Sequence, residues 1–231
     1  MSDYPAVPDR LYTVRKAPPI ARAHEPGDLS FWSRAHALAV DSFRPESSGH
    51  RPRVAARALY DSAALYIRFD VRDSFVRCLH TNYGDPVYTD SCVEAFLQPR
   101  TPGGYVNFEV NCGGTLLSSF IEDPRRVPGG FERWQPIPRE HASTVRIAGN
   151  LPPVVDPEIS GECDWWIELA VPFAFFERYV GAMPPLPGDR WRANFYKCGD
   201  ATSHPHWASW SPVQELNFHR PDDFGTILFE P

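Results

Sequence analysis

Tyr88-Thr89-Asp90-Ser91-Cys92-Val93-Glu94-Ala95-Phe96-Leu97-Gln98, a turn from Pro99 to Gly104, and Tyr105-Val106-Asn107-Phe108-Glu109-Val110-Asn111 make up the stretch whose reading decides the fold. Both halves alternate with a period of two, the spacing of a β-strand. Val93, Ala95 and Leu97 share one face with Val106, Phe108 and Val110. The other face collects Cys92, Glu94, Phe96 and Gln98, then Tyr105, Asn107, Glu109 and Asn111. The short Pro/Gly link makes the pair a hairpin. One face is therefore a core face. The other carries two carboxylates and three amides flanked by aromatics, either left to water or curved into a groove that grips a polar ligand.

Working outward, Leu65, Ile67, Phe69 and Val71 alternate with Tyr66, Arg68, Asp70 and Arg72 in the clearest strand of the chain, Ala64 to Asp73. Further strands are predicted near Leu11 to Val14, at Val54 to Tyr60, Thr115 to Ile121, Ser143 to Ala148, Asp164 to Val171, Trp191 to Cys198 and Phe224 to Phe229. Asp28 to Asp41 reads as a short helical turn or an edge segment. Phe75 to Tyr88, Glu122 to Pro138 and Leu151 to Ser160 read as loops. One good helix candidate, Pro172 to Tyr179, places proline at its favoured first position. About nine or ten short strands between Pro- and Gly-bearing turns predict an all-β chain, an antiparallel sandwich of jelly-roll type with one short helix and long Pro-rich loops. No repeat or linker divides the chain, so residues 1–52 are expected to be an arm and loop packing on a single domain at 53–231.

The 231 residues suffice for a sizeable core. The 25 prolines argue for irregular connections and against long helices. A net charge of -6 with no basic face disfavours nucleic acid. No apolar run approaches the ~20 residues of a membrane span. Met1-Ser2-Asp3-Tyr4-Pro5 has no basic start followed by an apolar stretch, which predicts a cytoplasmic location, or a secreted or periplasmic one where a leader has been removed. The five cysteines are scattered without a close pair, so neither a zinc site nor a disulfide framework is expected from their spacing.

The runs Leu65 to Asp73, Tyr88 to Phe96 and Tyr105 to Gly114 resemble the family 9 carbohydrate-binding modules of xylanases and their stand-alone relatives. Trp191 to Tyr196, Trp210-Ser211-Pro212 and Phe218 to Gly225 look like the end of the same domain. The resemblance implies a β-sandwich that holds a mono- or oligosaccharide without cleaving it. In that family two tryptophans clamp a sugar ring while polar side chains hold its hydroxyls. The first clamp position falls on Tyr88 and the family's acid on Glu94; an Arg-x-Asn element falls on Glu109-Val110-Asn111, keeping the amide and replacing the arginine. Either Trp210 or Trp207 would be the second clamp, with Trp210 preferred. Asn194, Arg68 and Tyr196 complete the candidate ligand-binding set. No cofactor is required on this reading. Structural calcium, which the resemblance implies, finds oxygen candidates in Asp61, Asp70, Asp73 and Asp90, without the spacing of a calcium loop. Oligomeric state is not set by any of these features.

Each candidate has a plainer alternative. Glu94 and Glu109 suit ligand hydrogen bonding, a salt bridge with Arg68, or the carboxylate pair of a glycoside hydrolase, which needs a separation of roughly 5–10 Å. Trp32, Trp165 and Trp191 are expected in the core. His204-Pro205-His206 with Asp200 or His219 is a weak metal candidate against a solvated loop. A third reading is an interaction module whose polar face is solvated.

Overall fold

The computed structural model describes residues 10–18 and 24–230, so parts of the expected N-terminal arm, 1–9 and 19–23, lie outside the described residues. Along the chain run β1 (Leu11–Lys16), β2 (Leu38–Ala39), β3 (Ser42–Phe43), β4 (Arg53–Tyr60), β5 (Ala64–Cys78), β6 (Cys92–Gln98) and β7 (Tyr105–Asn111). Then follow β8 (Leu116–Val127), β9 (Gly130–Pro136), α1 (Arg139–Ala142), β10 (Arg146–Gly149) and β11 (Val155–Pro172). The chain closes with α2 (Phe173–Val180), β12 (Arg190–Cys198), β13 (Trp207–Ser209) and β14 (Gly225–Phe229).

The strands make two sheets facing each other. One runs β9-β8-β7-β6-β12-β14-β1, and the other β10-β11-β5-β4-β1. The predicted all-β sandwich is therefore present. Its seam is β1, whose Leu11 to Val14 pair in parallel with Thr226 to Phe229 while Arg15 and Lys16 pair in parallel with Leu59 and Tyr60. A strand that switches sheets closes a sandwich corner, so this N-terminal segment belongs to both layers. Between the sheets, the predicted core face of β6 and β7 meets Ile67, Phe69 and Val71 of β5 and Trp165, Ile167 and Leu169 of β11. Trp32, Trp165 and Trp191 are buried as expected. Asp28 to Asp41 contains both alternatives, a 3-10 turn at Phe31–Arg34 followed by β2.

Three expected loops are shorter than predicted. β5 continues to Cys78 because β11 starts at Val155 and pairs with it, Ile159 opposite Val76 and Ser160 opposite Phe75. Register shifts on β11 between Val155 and Cys163 break the alternation that would have shown it. The expected loop from Glu122 onward is the projecting part of a hairpin formed by β8 and β9. Its charged residues interrupt any apolar alternation, with cross-strand pairs of Arg133 to Glu122 (3.4 Å) and Asp123 (3.6 Å), so Phe131 and Trp134 stand without a strand-like apolar period to mark them. Its turn needs glycine twice, at Gly129 (φ 92°) and Gly130 (φ 149°). A Cβ on Gly130 would stand 2.7 Å from Nε1 of Trp134. The predicted strand from Ser143 begins only at Arg146, after the single turn of α1. The predicted helix is α2, with Pro172 at its N-cap rather than its first turn and Gly181 (φ 61°) as its left-handed stop. Among the described residues, no helix is long and apolar enough to cross a membrane.

Candidate functional site

The outer face of β6 and β7 is neither open to water nor fully plugged. At one end Phe96, Tyr105 and Tyr196 are covered by Val213, Phe218 and Phe224 from the segment between β13 and β14. At the other, Cys92 and Cys198 are covered by Val87 with Trp207 and Leu117 alongside. Between these plugs lies a cavity of about 640 Å³, whose floor is Glu94, Asn107 and Glu109 with Cys198 beside them. Antiparallel register builds this floor: Glu94 stands opposite Glu109 on β7 and opposite Tyr196 on β12. Tyr88 and Trp207 form one wall, and Phe131 and Trp134 of the β8–β9 hairpin another. Tyr88 and Trp134 keep 41% and 43% of their surface exposed, unlike the aromatics of the core.

Two carboxylates opposite one another on paired strands repel if both are charged. Glu94 and Glu109 are 3% and 4% exposed. Burial pushes the Glu109 carboxyl up to about 7, against a hydrogen bond from Asn107 Nδ2 (2.6 Å) that lowers it. Burial, then Cys198 and Glu109, push Glu94 well above the usual carboxylate range. The Cys198 thiol donates to Glu94 Oε1 at 3.1 Å. Each carboxylate thus has one oxygen engaged inside the protein. Asn107 is itself held in place, its Oδ1 accepting from the Ser119 backbone at 2.5 Å. Asp200, raised by its burial, accepts from Trp207 Nε1 at 2.7 Å and fixes that ring. Burial and then Arg126 lower His219 to about 3, so it lines the cavity as a neutral ring.

This arrangement can hold a polar ligand by hydrogen bonds from below while its apolar faces rest on aromatic rings. Carbohydrate-binding family 9 is the family whose model matches the chain, over residues 28–229. The protein belongs to carbohydrate-binding family 9. This family 9 chain superposes on a candidate carbohydrate-binding protein from Bacteroides uniformis with a TM-score of 0.84 and 28% identity, covering 96% of this chain and 100% of that one. Family 9 modules from Caldicellulosiruptor kristjanssonii, in complexes with cellotriose and with glucose, are 13% and 12% identical with TM-scores of 0.65 and 0.64. Those likenesses span 96% of this chain and 94% and 96% of the modules, and they establish a shared fold. A comparison with curated proteins gives no match.

Of the residues singled out from the family 9 sequence, Tyr88, Glu94 and Glu109 come together at the cavity, joined by Trp207, the alternative second clamp. Five others lie elsewhere. Asn111 is fully buried, donating to Asp90 Oδ2 (2.9 Å) and the His80 carbonyl (2.8 Å) and accepting from Thr115 N (2.9 Å), which locks the turn after β7. Asn194 clasps the Ser211 backbone, donating to its carbonyl and accepting from its N–H, both at 2.9 Å. Trp210 is 3% exposed and packs in the core against Phe195 (5.8 Å between centroids) and Tyr12 (6.4 Å), because β13 turns it inward. Arg68 lies on the other sheet, bound to Glu168 and to Asp70 (2.7 Å), and so does not neutralise Glu94 or Glu109. Tyr196 is buried beneath the cavity wall, stacked on Phe218 at 4.1 Å and donating to its carbonyl at 3.0 Å.

Sequence reasoning passed over Asn107, Phe131, Trp134 and Arg126 as site residues and named Asp200 only as a weak metal candidate. Asn107 had a signal, because it shares its strand face with Glu109. The hairpin residues had none beyond the Gly-Gly turn. The four aspartates considered for calcium do not assemble. Asp61 caps its own turn at Ala63 and Ala64, Asp70 pairs with Arg57 and Arg68, Asp73 with His50 and Lys197, and Asp90 with His80 and Asn111. Nor do the histidines of the His204 loop assemble, since His204 stacks on Phe75 (3.6 Å) while His206 Nε2 accepts from Lys197 (2.7 Å). Among the described residues, the group with metal-binding geometry is Cys92, Glu94 and Cys198.

Proposed function

We propose that this cavity binds a mono- or oligosaccharide and does not cleave it. Sugar rings carry apolar C–H faces and polar hydroxyl edges, so a site for them needs aromatic walls and fixed polar groups together. The observation that carries the reading is the floor of Glu94, Glu109 and Asn107 under the half-exposed rings of Tyr88 and Trp134. The carboxylates accept from hydroxyls, or donate when protonated, and Asn107 holds Glu109 in place. Membership of family 9 and the glucose and cellotriose complexes of the Caldicellulosiruptor modules support the ligand class. Tyr88 and Trp134, rather than Trp210, would take the stacking roles.

Calorimetric titration of the purified chain with glucose and cellotriose, with product analysis on the same samples, tests this. Saturable binding without product is expected. Trp134→Ala should weaken it by about tenfold, equivalent to ~1.4 kcal/mol, without moving the melting temperature. Binding that is absent for every sugar tried, or unaltered in Trp134→Ala and Glu109→Ala alike, would remove the cavity from consideration. Release of shorter sugars, abolished in Glu94→Gln, would move the chain to the hydrolase reading.

A further inference from the structure

Cys92 and Glu94 occupy alternate positions of β6 and therefore point to the same face. Cys198 of β12 is the direct cross-strand partner of Cys92. The three side chains form a triangle whose ligand atoms all lie within 4.8 Å of one another, with Cys198 Sγ and Glu94 Oε1 3.1 Å apart. In tetrahedral zinc, bond lengths of about 2.3 Å to sulfur and 2.0–2.2 Å to oxygen separate neighbouring donors by roughly 3.5–3.8 Å. The triangle is therefore within about 1 Å of that geometry before any ion enters.

We propose that Cys92, Glu94 and Cys198 form a binding site for a thiophilic divalent cation of the zinc class, with its fourth position open to the cavity. Three features support it besides the distances. Two sulfurs and one carboxylate oxygen are the donors such an ion selects, and calcium or magnesium does not. Glu94 and Cys198 line the cavity, which supplies an entry path and room for a water or a ligand hydroxyl at the fourth position. Acid groups crowd that cavity, with Glu109 and Asp200 added to Glu94, while Arg126 is the one Lys or Arg among its lining residues. On binding, the two thiols and any protonated Glu94 carboxyl release their protons to solvent, and the sulfurs and the carboxylate oxygen bond the ion as anions. No electron is transferred. Three protein ligands with an open fourth position is the pattern of zinc sites that contact a substrate rather than of purely structural ones.

The full chain, stripped with a chelator and kept reduced, is titrated with Co2+ and read by thiolate-to-cobalt charge transfer and the visible bands of tetrahedral cobalt. One Co2+ per chain is expected, displaced by Zn2+. Cys198→Ser and Cys92→Ser should lose the charge-transfer band. Glu94→Gln, close in size and shape, should weaken binding by at least about tenfold and carries the test if a cysteine variant does not fold. Cys112→Ser, altering the other buried thiol pair with Cys78, should leave the titration unchanged. No bound Co2+ or Zn2+ with all five thiols reduced overturns the proposal. So does a charge-transfer band that survives in Cys198→Ser.

Discussion

Lys197→Met should destabilise the protein by about 3–5 kcal/mol, because it strands a charge in the core. Lys197 faces inward from β12 with no exposed surface. Its Nζ donates to the Cys198 carbonyl (2.9 Å) and to His206 Nε2 (2.7 Å), and lies 3.4 Å from Asp73 Oδ2. That Asp73 oxygen has no hydrogen-bond partner, so the ammonium is what compensates it. Burial alone would raise the Asp73 carboxyl, but Lys197, a hydrogen bond from His50 and the nearby His206 outweigh it and hold the group well below the carboxylate range. Methionine keeps the length of the side chain, so the lost packing is small and the charge term dominates. Against a total stability of about 5–15 kcal/mol this is a large share. It corresponds to a fall of about 6–20 °C in melting temperature for a chain of this size. Urea denaturation of wild type, Lys197→Met, Asp73→Asn and the double variant provides the measurement. The double variant should recover much of the loss, giving a coupling of about 2 kcal/mol or more. Burial, and then Lys197, lower His206 to about 3. Without the ammonium, His206 can take a proton beside Asp73, so the deficit of Lys197→Met should shrink as pH falls below the ordinary histidine range near 6.5. Strictly additive single losses, or a loss below about 1 kcal/mol in Lys197→Met, would refute the claim that Asp73 depends on Lys197.

Two further outcomes follow from the cavity and from the core. With Glu109 raised from 4.5 to about 7, the folded state holds a proton that the unfolded state has released. Stability in chelator should therefore fall as pH rises from 4.5, Glu109 contributing about 3 kcal/mol by pH 7 and Glu94 adding to the fall in the same direction, and Glu109→Gln should remove the Glu109 share of that slope. A flat pH profile for the wild type would show that Glu109 is ionised without penalty. Trp210→Ala should cost about 3–5 kcal/mol through the void it leaves between Phe195 and Tyr12, while the variant, still folded in the cold, keeps its sugar affinity. Lost affinity with unchanged stability would return Trp210 to the site.

The sandwich was legible in the sequence because half-buried strands impose a period of two on their side chains. Val93, Ala95 and Leu97 against Val106, Phe108 and Val110 show it, and the hairpin forms as that pattern requires. The same alternation put Glu94, Asn107 and Glu109 on one face, which is where the cavity floor lies. Alternation states which side of a strand a residue occupies. It does not state which strand comes next in the sheet or what covers the outer face. β12 lies beside β6 although about ninety residues separate them in sequence, so the meeting of Cys198 with Cys92 and Glu94 was invisible until the chain folded. Arg68 matched the polar pattern equally well, yet its strand belongs to the other sheet, where Glu168 claims it. Trp210 and Trp134 both lie within two residues of a proline in stretches that carry no sustained apolar period. The core takes the first and the projecting hairpin displays the second, a choice made by backbone direction at β13 and at Gly129-Gly130. Local periodicity thus determined the faces and the acidic pair, because it depends on neighbours along the strand. Only the tertiary structure decided which aromatics stay exposed and which acids and thiols converge, because those depend on pairings between distant segments.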